Sequence, residues 1–139
     1  MFRKSIVLLA FLCGCGSDSA PFTPEIRLIV VTDKLSYEPG DEICITYENV
    51  GNVPLEVWAC PAQFEFREGD TWRSPLGFMG CTAIPPQATP LRLREGSEFV
   101  MMYQEGGLPP GEWRVGFRLK EPGEEVFYSN GFQLLPESP

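Results

Sequence analysis

Histidine is absent from all 139 residues. Its absence removes the usual general base of serine and cysteine triads, the usual proton shuttle, and the commonest ligand of zinc and copper. Positive charge is scarce, with 11 Lys and Arg against 19 Asp and Glu and a net charge of −8. A nucleic-acid partner is therefore not expected, because phosphate binding needs a basic patch. No glycine-rich loop follows a strand and opens a helix, so nucleotide use is not expected and no cofactor is assigned. Long apolar runs are missing as well: Ile6 to Leu12 supplies seven residues, against the roughly 20 that a membrane-crossing helix needs.

That short run nevertheless has a clear context. Arg3 and Lys4 precede it, and Leu12-Cys13-Gly14-Cys15 follows it. A positive start, a short apolar core and a small residue before the cut are the parts of a secretory signal. The tetrapeptide resembles the lipobox of bacterial lipoproteins, in which the final cysteine becomes the new N-terminus and is acylated. This resemblance implies a signal peptide over 1–14, lipidation at Cys15, and attachment to a membrane through acyl chains on that residue. The chain left after cleavage has 125 residues, nine basic and nineteen acidic. In that family the residue after the lipidated cysteine influences sorting, and Gly16 is not the Asp associated with inner-membrane retention. The implied address is the cell envelope: the outer membrane in a Gram-negative host, otherwise the outer face of the cytoplasmic membrane. Residues 15–25, small and polar with Pro21 and Pro24, read as a flexible tether. Such a tether spans on the order of 15–20 Å.

From residue 26 to 136 the pattern is that of strands. Fourteen Gly and fourteen Pro leave few intervals long enough for three helical turns. Apolar residues alternate instead: Ile26, Leu28 and Val30; Ile43, Ile45 and Tyr47 after the turn at Pro39-Gly40-Asp41; Phe99, Met101 and Tyr103. The cleanest case is Trp113, Val115, Phe117 and Leu119, interleaved with Arg114, Gly116, Arg118 and Lys120. Shorter runs lie at Leu55–Cys60, Gln63–Arg67 and Thr71–Arg73, and a last strand is expected over Val126–Leu134. Seven to nine short strands with frequent turns predict an all-β antiparallel sandwich.

Three stretches carry a further resemblance. "YEPGDEICITYENVGNVPLEV", "LPPGEWRVGFRL" and "YSNGFQL" resemble the opening, penultimate and closing strands of bacterial immunoglobulin-like domains, and also the intracellular proteinase inhibitor domains of bacilli. The likeness runs over about Ile26 to Leu135. Its motifs are turn glycines and core aromatics, so it implies an immunoglobulin-like sandwich more strongly than any activity. No inhibitory loop can be carried over residue by residue. Related immunoglobulin-like lipoproteins often hold a cysteine pair of the kind formed by Cys60 and Cys81, and an exported protein meets an oxidising compartment. The resemblance thus implies a Cys60–Cys81 disulfide, which would stabilise by roughly 3 kcal/mol on the chain-entropy model.

Cys44 then remains unpaired. Between Ile43 and Ile45 it should face away from the core, and no flanking cation lowers its pKa; it reads either as a small structural residue under a neighbouring strand or as a reactive thiol. Glu65, Glu68 and Asp70 form a hairpin turn more readily than a calcium loop, and Met101 and Met102, on opposite faces of one strand, do not make a copper site. No catalytic or metal residues are assigned. The segment 61–90 gathers Phe64, Phe66, Trp72 and Phe78. These residues either cap one end of the sandwich or present a partner-binding surface. "IPPQATP" (Ile84 to Pro90) reads as a further contact or as an extended connection. The resulting expectation is a non-catalytic envelope lipoprotein that binds a protein partner or assists assembly. A loop-presenting protease inhibitor and a small hydrolase using carboxylates are the alternatives.

Overall fold

The computed structural model describes residues 20–60, 63–75, 87–104 and 106–139. Cys15, Phe78, Cys81, the expected signal peptide and Ile84–Pro86 lie outside them.

Eleven strands are present among the described residues: β1 (Leu28–Thr32), β2 (Ser36–Tyr37), β3 (Glu42–Asn49), β4 (Leu55–Trp58), β5 (Gln63–Glu68), β6 (Thr71–Arg73), β7 (Ala88–Leu91), β8 (Gly96–Met102), β9 (Gly111–Glu121), β10 (Val126–Tyr128) and β11 (Phe132–Leu134). They form two sheets. The smaller runs β1-β3-β8; the larger runs β2-β11-β9-β4-β7, with β5 and β10 also on β9 and β6 on β5. All pairings between named strands are antiparallel except β2 with β11. The two sheets enclose a single apolar layer, giving an all-β, sandwich-like architecture.

The alternation in the sequence explains the layer. Ile43, Ile45 and Tyr47 of β3 are buried against Trp113, Val115, Phe117 and Leu119 of β9, each of the latter 0% exposed. Tyr47 and Phe117 meet at 4.5 Å between ring centroids, and Phe99 of β8 reaches the same Phe117 at 6.3 Å. At the other end Tyr37 meets Phe132 edge-on at 5.6 Å. Aromatic rings at these separations add to simple burial. Gly40, with φ at 96°, turns the chain into β3 in a conformation that side chains resist. Asn49 closes the same strand from inside: its Nδ2 donates to the carbonyls of Val53, Leu91 and Arg92, and its Oδ1 accepts from Gly51 N–H. A buried amide is tolerated because it is satisfied in this way.

Four sequence expectations need correction. Among the described residues the strand count is eleven, because Ser36–Tyr37 and Ala88–Leu91 add to the expected runs and the last run divides in two. The stretch Val126–Leu134 is two strands: Ser129 leaves the ladder to place its hydroxyl on Val115 N–H at 3.0 Å, and Asn130 turns to bond Thr32. The run Leu55–Cys60 ends as a strand at Trp58, and Cys60 follows in a bend. Finally, Ala88–Leu91 is a strand and not only a connection, pairing with Leu55–Trp58 along the sheet edge. Pro90 is compatible with that place because an edge strand has one row of unused donors.

Candidate functional site

The outer face of the larger sheet is built by the residues between the core positions of β9. Glu65 of β5 stands beside Arg114, Tyr128 of β10 beside Gly116, and Arg67 beside Trp72 of β6. Because parity is kept from strand to strand, all of these side chains share one face.

Arg114 is the hub. Its guanidinium lies 4.5 Å from the Trp72 ring centroid and 3.9 Å from that of Tyr128, so it is held between two aromatic faces. Its Nε donates to Glu65 Oε2 at 2.7 Å, with the adjoining Nη2 at 2.5 Å from the same oxygen. Glu65 is 9% exposed. The Tyr128 hydroxyl donates to Gln63 Oε1, with Glu65 Oε1 3.3 Å away. Burial raises the Tyr128 phenol above its ordinary value, and the Glu65 charge and hydrogen bond add to this, so the ring stays protonated. Gly116 makes the stack possible: a Cβ there would meet Val126 Cγ1 at 2.8 Å and Tyr128 Cε1 at 2.9 Å. The same face continues with the Arg67–Glu112 pair at 3.1 Å and with Lys120, which contacts Glu56 at 3.0 Å and lies over Trp58.

The expected partner-binding residues are thus divided. Phe64 is 4% exposed and belongs to the core, which corrects its reading as a surface anchor. Phe66, two positions on, also turns inward and packs on Trp113 at 5.6 Å. Trp72 alone of the described three faces outward into the stack. The three clustered acids do not converge either: Glu65 pairs with Arg114, and Glu68 pairs with Arg73 at 2.7 Å. Arg114 and Tyr128, the residues that complete the site, were not singled out in the sequence. The outward parity of Arg114 was the available signal; the contact with Glu65 joins positions 49 residues apart.

Cys44 occupies the outer face of the smaller sheet, half-buried, and is free. Burial and the Asp33, Glu42 and Glu98 carboxylates push its thiol up, which favours the unreactive protonated form. Its N–H donates to Asp33 Oδ1, which also accepts from the Tyr37 hydroxyl at 2.6 Å. Burial alone would raise the Asp33 carboxyl, but the Tyr37 and Cys44 hydrogen bonds bring it below its ordinary value. Cys60 is not a free thiol.

No family model matches the chain, and no curated protein matches it. Among solved structures, the chain is similar over 81% of its length to an alkylpurine DNA glycosylase of Pseudomonas fluorescens, at 8% identity and a TM-score of 0.41. It is similar over 81% to a β-glucosidase of Erythrobacter marinus, at 13% identity and 0.39, and over 82% to a β-glucosidase of Listeria innocua, at 12% and 0.36. The chain spans 31% of the glycosylase and 16% of each glucosidase.

Proposed function

We propose that this protein is an envelope lipoprotein, acylated at Cys15, whose immunoglobulin-like domain binds a protein partner without catalysing a reaction. The observation that carries the binding reading is the Trp72–Arg114–Tyr128 stack. Its ionic groups are already paired with one another, Glu65 with Arg114 and Tyr128, so the carboxylate is engaged in structure and not poised for proton transfer. A rigid aromatic–guanidinium surface costs little entropy to bind, and Trp, Tyr and Arg are the residues that dominate protein interfaces. The immunoglobulin-like assignment is supported by strand order: β1-β3-β8 faces a sheet centred on β4, β9 and β11, as the A-B-E strands face C-F-G. The bond from Trp113 Nε1 to Pro109 O at 2.9 Å, at the start of β9, resembles the corner bond that a tyrosine makes in such domains. The Cys60–Cys81 bridge belongs to the same proposal.

The test is purification from native membranes after reversible cross-linking, for the wild type and Trp72→Ala. The expected result is an acylated chain beginning at Cys15, with a discrete cross-linked partner that Trp72→Ala loses. An unacylated chain, or an identical set of adducts from both proteins, would contradict the proposal.

A further inference from the structure

The outer face of the smaller sheet, β1-β3-β8, differs in character from the Trp72 stack. Register places Ile29 of β1 beside Glu48 of β3, Val31 beside Thr46, Thr46 beside Glu98 of β8, Cys44 beside Val100, and Glu42 beside Met102. Every second residue of the three strands therefore points outward. Ile29, Val31, Val100 and Met102 are 41–47% exposed, and they are half of the large apolar side chains exposed among the described residues. A shallow groove of about 670 Å³ runs along this face between Ile29, Val31, Glu48 and Glu98, with Arg94 as its lining cation.

The charge on the face limits what can cover it. A second copy meeting it face to face would gather six carboxylates, Glu42, Glu48 and Glu98 of each copy, in one contact, and an excess of like charge there is unfavourable. The same three carboxylates oppose anionic headgroups. A partner carrying cations between aliphatic side chains satisfies both features at once, burying the four apolar residues while pairing the acids. We infer that the outer face of β1-β3-β8 is a docking surface for a basic segment of a partner protein whose lysines or arginines alternate with aliphatic anchors. This surface lies on the opposite side of the sandwich from the Trp72 stack and does not depend on it.

The test uses the full chain in detergent and fluorescence anisotropy with three labelled peptides of equal length: repeats of Lys-Leu-Val, of Lys-Ser-Ser and of Glu-Leu-Val. The expected result is saturable binding of the Lys-Leu-Val peptide alone, weakened at least about fivefold by Glu98→Lys and by Val100→Lys, and unchanged by Trp72→Ala. Circular dichroism keeps the reading to folded variants, and two substitutions at exposed positions guard against the failure of one. Absence of binding would overturn the inference. So would equal binding of Lys-Ser-Ser, which would mean charge alone, or loss of binding in Trp72→Ala, which would place the peptide on the other sheet. Concentration-dependent self-association abolished by Val100→Lys would assign the face to a second copy instead.

Discussion

The two outer faces of this sandwich are made by the same rule and end in opposite states. On the larger sheet, outward residues are long, charged and aromatic, and they close on one another: Arg114 between two rings, Glu65 on Arg114, Arg67 on Glu112. On the smaller sheet they are short and aliphatic, interspersed with acids whose register neighbours are Ile29, Thr46 and Met102. Strand parity decides which residues point out. Side-chain reach and complementary charge decide whether they then satisfy each other. One face is preassembled and the other is left open.

Substitutions should separate what both faces share from what each holds alone. The largest loss belongs to the common core: Phe117→Ala removes the ring that meets Tyr47 and Phe99 across the sheets, and urea unfolding should show about 3–5 kcal/mol less stability. Next comes Arg114→Ala, which leaves Glu65 without its cation. The Arg114 and Glu65 side chains are 25% and 12% exposed, so the loss should fall short of that for a fully buried pair, about 1–3 kcal/mol. Gly116→Ala should cost a comparable or smaller amount, about 1–3 kcal/mol, by driving a methyl against Val126 and Tyr128. Tyr128 fluorescence should report the displaced ring. On the open face, Val100→Ser and Met102→Ser should each stay within about 0.5 kcal/mol of wild type. A large loss there would show that the small-sheet face is structural and would erase the contrast.

The margin between the sheets adds a pH signature. Asp33 titrates below its ordinary value in the fold, so its stabilisation is present above the unfolded carboxylate pKa of about 4 and is lost as pH falls through the lower folded value. Tyr37 is pushed up to about 12, first by burial and then by its bond to Asp33. The folded state therefore retains a proton that the unfolded state releases near pH 10, and stability should decline between pH 10 and 12. Tyr37→Phe should reduce the alkaline decline, leaving the part owed to the raised Tyr128 and Cys44 groups, and reduce the acid one, measured by thermal unfolding across pH.

Much of the core was legible from period two. Trp113, Val115, Phe117 and Leu119 read as inward residues and are fully buried, and Ile43, Ile45 and Tyr47 do the same on the facing sheet. What the alternation hid has identifiable causes. Proline at position 90 masks a strand that exists because an edge tolerates it. Ser129 and Asn130 break the last strand through side-chain bonds to Val115 and Thr32, partners far off in sequence. Phe64 looked available because its neighbourhood is rich in turns, yet it shares parity with Phe66 and both turn inward. The stack itself was only half visible: Trp72 stood out by residue type, whereas Arg114 and Tyr128 reach it through the pairing of β5, β9 and β10.

Site-specific photocrosslinking in the native host cell tests the central contrast most directly, with the reactive group placed in turn at Arg67 beside the stack, at Val100 on the open face, and at exposed Glu124 in a loop. Discrete adducts from positions 67 and 100, different from each other and absent from 124, are expected of a binding domain with two unlike surfaces. No adducts from either face, or the same diffuse products from all three positions, would contradict it.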